Sequence, residues 1–251
     1  MAKLTILGTA AAVPDHEREN THFLLETGRQ KILIDCAINP VAHLPRCGID
    51  FMGVTDLVLT HFHPDHVSGA PYLLMVMWLK GRKEELRVYG LNDTLDKFKS
   101  MLQLYDWDSW PNFYPVQFTP VEALESALVF ENSSIRVTAS PVRHLIPAMG
   151  LRVDFLSSQQ SFAYSCDTQP CEEVIRLAQG VEILFHETSG NSVGHTSPQQ
   201  AGEIAQKAAA KKLYLVHYPD VEEQTWVGGA KQFFSGEVRL AKQLDWLIFT
   251  D

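Results

Sequence analysis

The hexapeptide His61-Phe62-His63-Pro64-Asp65-His66 constrains this chain more than any other stretch. Three imidazoles and a carboxylate stand together, directly after the apolar run Leu57-Val58-Leu59. These are the side-chain types that bind first-row metals. Buried without a metal, each would need a hydrogen-bond partner of its own. The pattern therefore places a metal site at the end of a strand. A catalytic metal there would make the chain a hydrolase.

The rest of the chain suits a globular scaffold for such a site. Its 251 residues are 45% hydrophobic and 20% charged, enough for a sizeable core in one large domain or two small ones. No apolar run reaches the length of a membrane span. The opening Met1-Ala2-Lys3-Leu4-Thr5-Ile6-Leu7-Gly8 reads as a first strand, without the apolar core and cleavage site of a signal peptide. Cys36, Cys47, Cys166 and Cys171 are scattered and form no CxxC pair, as expected of reduced thiols in a cytoplasmic protein. Cys166 and Cys171 match no common zinc spacing and read as structural. A net charge of −9 gives no general footprint for nucleic acid, although it leaves room for a local basic patch.

Strand-like runs cover residues 4–7, 23–26, 31–35 and 56–60, then 87–89, 128–131, 135–140, 151–155, 161–165, 183–187 and 213–217. Helices are expected over residues 71–79, 92–105 (capped by Asn92 or Asp93) and 197–211, with a short one over 237–242. Ser197, Pro198 and Gln200 carry the signature of a capping box. The 71–79 segment is apolar nearly all round. Burial is the preferred reading, and a pocket or homodimer contact through Met75, Met77 and Trp78 is the alternative. The aromatic stretch 107–115 is expected to pack as an ordered loop, and Trp226 and Phe233-Phe234 to pack on the core. Strands interrupted every few elements by helices imply two sheets with helices on their outer faces.

Three further ligand-type residues follow strand-like runs: His144, Asp167 and His217. Strand ends are rigid enough to hold ligands while the loops beyond stay open to substrate. With these in place the chain resembles the metallo-β-lactamase superfamily, and within it the ribonuclease Z (tRNA 3′-processing) branch. The resemblance runs through Leu7-Gly8-Thr9-Ala10-Ala11-Ala12-Val13-Pro14, the His61–His66 motif, the segment around His144, His186-Glu187-Thr188 and His195-Thr196-Ser197-Pro198. It implies an αββα sandwich of two mixed β-sheets, class α/β, in a single domain over residues 1–251. It also implies two Zn²⁺ ions, with Mn²⁺ or Fe²⁺ suiting the same donors. By the resemblance, His61, His63 and His144 hold one ion, Asp65, His66 and His217 the second, and Asp167 bridges them. A bridging hydroxide would fill the open positions and attack, with Asp65 orienting or deprotonating the water. His195 would sit by the scissile phosphate, oriented by Glu187. Read from the residues alone, His195 could equally be a loop histidine steadying the next helix. His16, His22, His43 and His186 read as surface or structural.

One departure narrows the expectation. Ribonuclease Z enzymes carry a long tRNA-gripping arm between the third histidine and the bridging aspartate. Here residues 151–166 hold only a hairpin, with Ser157-Ser158-Gln159-Gln160 as its turn. The expected function is thus a phosphodiesterase acting on a small, cyclic or RNA-end phosphodiester, with tRNA recognition in doubt. The alternatives are a lactone, thioester or sulfate ester hydrolase, an authentic tRNA 3′-processing enzyme, and, least favoured, a non-enzymatic metal-binding protein.

Overall fold

Alternate residues of the apolar runs are buried on opposite faces, and this sets the layering. Phe23 and Leu25 enter one apolar core while Leu24 enters another, and Ile32 and Ile34 separate from Leu33 in the same way. Strands buried on both faces read as continuous apolar runs instead of alternating ones. In the computed structural model, which describes residues 1–37 and 39–249, two seven-stranded sheets share the first core.

The first half of the chain contributes β1 (Ala2–Gly8), β2 (His22–Thr27), β3 (Gln30–Ile34), α1 (Pro40–Arg46), β4 (Asp56–Val58), α2 (Pro64–Val67), α3 (Ala70–Leu79), β5 (Leu86–Leu91), α4 (Asn92–Gln103) and β6 (Val116–Val121). The second half contributes β7 (Ala127–Glu131), β8 (Ile135–Val142), β9 (Ala148–Phe155), β10 (Ser161–Tyr164), α5 (Glu172–Leu177), β11 (Ile183–Glu187), α6 (Pro198–Lys207), β12 (Lys212–Val216), α7 (Glu223–Lys231), β13 (Glu237–Leu240) and β14 (Trp246–Phe249). The sheet orders are β14-β1-β2-β3-β4-β5-β6 and β13-β12-β11-β10-β9-β8-β7.

Each sheet is antiparallel on one side and parallel on the other. Pairing is antiparallel from β14 to β3 and parallel from β3 to β6. It is antiparallel from β7 to β10 and parallel from β10 to β13. A second core packs α3 and α4 on the outer face of the first sheet, and a third packs α5, α6 and α7 on the second. The result is the αββα sandwich of the metallo-β-lactamase fold. Parallel neighbours end at the same edge, so the loops after β3, β4, β10, β11 and β12 gather there, the usual place for ligands in such sheets.

Several local expectations change. Residues 237–240 form an edge strand beside β12, not a helix, because buried Val238 and Leu240 alternate with exposed Glu237 and Arg239. The cap of α4 is Leu91, without a side-chain bond, and Asn92 is already helical. The helix over residues 71–79 is only partly buried: Met77 is in the core, whereas Tyr72 and Leu79 are 47% and 64% exposed. Trp78 stacks on Trp110 at 5.0 Å, so the aromatic loop packs against this helix. Phe234 is buried but Phe233 is 43% exposed. The Ser197–Gln200 capping box is present in full. The four cysteines are free thiols.

Candidate metal centre

The hexapeptide begins three residues beyond the end of β4, and Pro64 starts the short helix α2 that carries Asp65 and His66. This helix is tied to the turn after β3 by Cys36 N–H donating to the His66 carbonyl at 2.7 Å. Gly69 lets the chain pass close to the Ala37 carbonyl, where any Cβ would overlap.

Three turn residues at strand ends share one backbone device. Asp35 after β3, Cys166 after β10 and His217 after β12 all have left-handed φ, at 60°, 57° and 50°. Non-glycine residues occupy this region at a cost and tend to do so at functional sites. In each case the turn swings a carboxylate or imidazole, with Asp167 next to Cys166, toward the common edge.

Two donor groups converge there. His61 Nε2 and His144 Nε2 lie 3.1 and 3.0 Å from His63 Nδ1. The other ring nitrogens are occupied: His61 Nδ1 faces Thr60 Oγ1 at 3.1 Å, and His144 Nδ1 donates to the Gly194 carbonyl at 2.8 Å. That second bond leaves His144 Nε2 as a free lone pair. In the other group Asp65 Oδ2 lies 3.3 Å from His217 Nε2 and 3.4 Å from His66 Nε2. Asp167 stands between the groups, with Oδ1 3.6 Å from His66 and Oδ2 3.4 Å from His217 and 3.9 Å from His144. Within each set, His61, His63 and His144 or Asp65, His66, Asp167 and His217, donor atoms fall within 4.8 Å of one another.

These residues fit divalent cations. His66 Nε2 and Asp167 Oδ1 are buried without a hydrogen-bond partner, and three imidazole nitrogens face one another. A cation satisfies both conditions at once. Burial works against ionisation of Asp65, but the His217 and His66 imidazoles beside it outweigh burial and hold the carboxyl far below the usual range. Burial pushes His61 well below its ordinary value, so its ring is neutral, as a ligand must be.

Glu187 and His195 lie alongside. His195 Nδ1 is 3.2 Å from Glu187 Oε1. The same carboxylate accepts from Thr196 N–H at 2.9 Å, Thr168 N–H at 3.3 Å and, through Oε2, Ser189 N–H at 2.8 Å. Burial pushes the Glu187 carboxyl up, yet all its partners are donors, which favours the ionised form. The bond to Glu187 raises His195 above its ordinary value, against burial. Its ring lies 5.1 Å from His144 and 5.9 Å from His217. The other histidines lie apart: His16 is exposed, His22 bonds the Asn20 carbonyl, His43 the Leu7 carbonyl and His186 the Glu187 carbonyl.

Four contributors were not read from the sequence. Asp35 holds His66 Nδ1 at 2.8 Å and Thr60 N–H and Oγ1 at 2.8 and 2.9 Å. Ser189 Oγ meets His217 Nδ1 at 2.7 Å, Thr21 Oγ1 accepts from His217 N–H at 3.0 Å, and the Gly194 carbonyl orients His144. Asp35 had a signal, since it ends the apolar run 31–35 as the other ligand-type residues end theirs. Ser189 and Thr21 had none, because their partner is brought to them only by the fold.

A family model described as the anti-Pycsar protein Apyc1 matches residues 2–244. The chain belongs to that family. It is also similar to ribonuclease Z of Methanothermobacter thermautotrophicus, with 28% identity over 93% of this chain and 92% of that one. Among solved structures, the metallo-β-lactamase fold protein YhfI from Bacillus subtilis superposes with a TM-score of 0.84 at 20% identity, over 98% of each chain. Human tRNase Z, short form, superposes with a TM-score of 0.79 at 22% identity, over 99% of this chain and 100% of that one. The chain is a ribonuclease Z-like metallo-hydrolase of the metallo-β-lactamase superfamily.

Proposed function

We propose that this hydrolase is a binuclear phosphodiesterase acting on a small, cyclic or RNA-end phosphodiester. The observation that carries the reading is His195, held by the buried Glu187 carboxylate beside both donor groups. An imidazolium so placed is suited to charge on phosphoryl oxygens and to a departing alkoxide.

His61, His63 and His144 would hold one ion and Asp65, His66 and His217 the other, with Asp167 shared. Two divalent ions, zinc in this reading, would supply Lewis acidity and a water acidic enough to attack near neutral pH. Asp65 would orient that water and take its proton on a carboxylate oxygen. As the new P–O bond forms and the ester P–O bond breaks, His195 would pass its Nε2 proton to the leaving oxygen, its Nδ1 staying on Glu187. A phosphomonoester and an alcohol result. Buried Thr196, whose hydroxyl donates to the Thr168 carbonyl at 2.6 Å, would keep the His195 loop fixed.

The β9–β10 hairpin closes after a short turn, which supports leaving tRNA recognition out of the proposal. The exposed apolar residues of α3 support a homodimer contact. None of the described helices is long and apolar enough to cross a membrane.

The test is turnover of bis(p-nitrophenyl) phosphate by the zinc-loaded protein. His195→Ala should lower kcat by about 10²–10³ with zinc content retained. Fast lactone or thioester turnover with no diester cleavage would overturn the reading in favour of a different ester class. Efficient cleavage of a tRNA precursor would overturn the exclusion of tRNA.

A further inference from the structure

Cys166 occupies the left-handed turn after β10, with φ 57° and its side chain wholly buried. Glycine would take that backbone without the steric cost that a Cβ brings. What the side chain touches offsets the cost. Its sulfur lies 3.4 Å from His61 Nδ1. β10 belongs to the second sheet and His61 follows β4 of the first, so this contact crosses the sandwich. A backbone link runs beside it, Met149 N–H of β9 donating to the Thr60 carbonyl at 3.1 Å.

The hydrogen bonds around Thr60 fix where the His61 proton sits. Thr60 has one hydroxyl hydrogen, and it goes to Asp35 Oδ2 at 2.9 Å, because a carboxylate only accepts. Toward His61 Nδ1, 3.1 Å away, the Thr60 oxygen is therefore an acceptor. Nδ1 carries the proton, and Nε2 keeps a lone pair on the side of His63. The Nδ1 proton thus stands between two acceptors, Thr60 Oγ1 from the first sheet and Cys166 Sγ from the second. One acceptor would let the ring pivot about a single bond. Two acceptors on different sheets hold its plane.

Cys166 is not itself a metal donor, since its sulfur joins none of the donor clusters among the described residues. The next residue is one. Asp167 Oδ1 is buried with no hydrogen-bond partner, an orphan that a cation would satisfy. The turn between them is pinned from behind: Ser165 Oγ donates to the Cys166 carbonyl at 2.7 Å and accepts from Glu187 N–H at 3.0 Å.

We propose that Cys166 is a positioning residue that acts on the metal centre through His61, its sulfur holding the ring so that Nε2 faces the ion shared with His63 and His144. The proposal rests on the two donor groups holding metal, as in the phosphodiesterase reading, and not on the identity of the substrate.

The test titrates zinc against a chromophoric chelator in the wild type, Cys166→Ala and Cys166→Ser. Nitrogen-15 spectra of histidine-labelled, zinc-loaded protein accompany it. Cys166→Ala should weaken one of the two zinc equivalents by about tenfold or more and leave the other unchanged. Cys166→Ser should recover most of that loss, because its hydroxyl can still accept from Nδ1–H. A cysteine that merely fills space predicts the reverse, a buried serine doing no better than alanine. The His61 Nδ1–H resonance should move in Cys166→Ala while those of His66 and His144 stay in place. Equal weakening of both equivalents would overturn the proposal, since the effect would then run through Asp167 or the fold. A serine variant no better than alanine, or an unmoved His61 resonance, would overturn it as well. If Cys166→Ala does not fold, Cys166→Gly removes the same sulfur while relieving the left-handed backbone, and wild-type zinc affinity there would sink the proposal. A wild type that binds no zinc would bring down the metal reading itself, whereas tight zinc binding indifferent to the sulfur overturns the role of Cys166 alone.

Discussion

Asp35 Oδ2 lies 2.8 Å from His66 Nδ1, with both side chains fully withdrawn from solvent. The carboxylate fixes the tautomer that leaves His66 Nε2 aimed at Asp65 and Asp167. Its other contacts, to Thr60 N–H and Oγ1, join the ends of β3 and β4. Asp35→Asn keeps the shape and removes the charge, so divalent metal should bind about 10–100-fold more weakly. Competition with a chromophoric chelator measures this, and unchanged affinity would show that Asp35 is only a structural buttress.

Asp56 offers a contrast at the opposite ends of the same strands. It is buried, pairs with Arg87 Nε at 2.9 Å and accepts from Thr55 Oγ1 at 2.6 Å. Arg87→Ala leaves that carboxylate short of a partner far from the donor groups. Urea unfolding should register a loss of about 2 kcal/mol, discounted for the partly exposed arginine, with kcat unmoved. A fall in kcat at full folding would mean that the two strand ends are coupled.

Gly194 has φ +84°, and a Cβ on it would stand 3.0 Å from His144 Nδ1. Gly190 also has positive φ, at +120°, but its Cβ would meet nothing within 4 Å. Alanine at either position should cost about 1–3 kcal/mol of backbone strain. Only Gly194→Ala should also weaken metal binding, since it displaces a donor. Equal metal affinities in the two variants would refute this account of His144.

Two buried histidines set the acid limb of stability. Burial lowers His22 to about 3 and His186 to about 4, from an ordinary 6.5. Both are neutral in the fold, while the unfolded chain takes up their protons below pH 6.5. Their contribution is therefore complete above pH 6.5 and drains away as the pH falls toward 4 and 3. Each should withdraw about 2 kcal/mol between pH 6.5 and 5. Unfolding free energies at pH 7 and 5 should show His186→Leu losing about 2 kcal/mol less than the wild type over that interval. Parallel pH dependences would mean that His186 is already solvated in the fold.

The convergence of His61, His63, Asp65, His66, His144, Asp167 and His217 could be read because each ligand-type residue follows an apolar strand. The sandwich could be read because strands buried on both faces form unbroken apolar runs. Residues 237–240, expected as part of a short helix, form a strand instead. The period of two set by Val238 and Leu240 is short, and it becomes decisive only when β12 offers an edge. The helix α3 is present as expected, but its burial is only partial, since uniform apolarity does not say which side is left uncovered. The contributions of Ser189 and Thr21 depend on long-range placement, 28 and 196 positions from His217. No local pattern carries that information.

If two metal ions act together on a phosphodiester, hydrolysis depends on filling both donor groups. Titrating zinc into the metal-free protein while following bis(p-nitrophenyl) phosphate hydrolysis tests this. Little activity is expected at one equivalent, with a plateau at about two per chain. Full activity at one equivalent, or no diester hydrolysis at any zinc level, would contradict it.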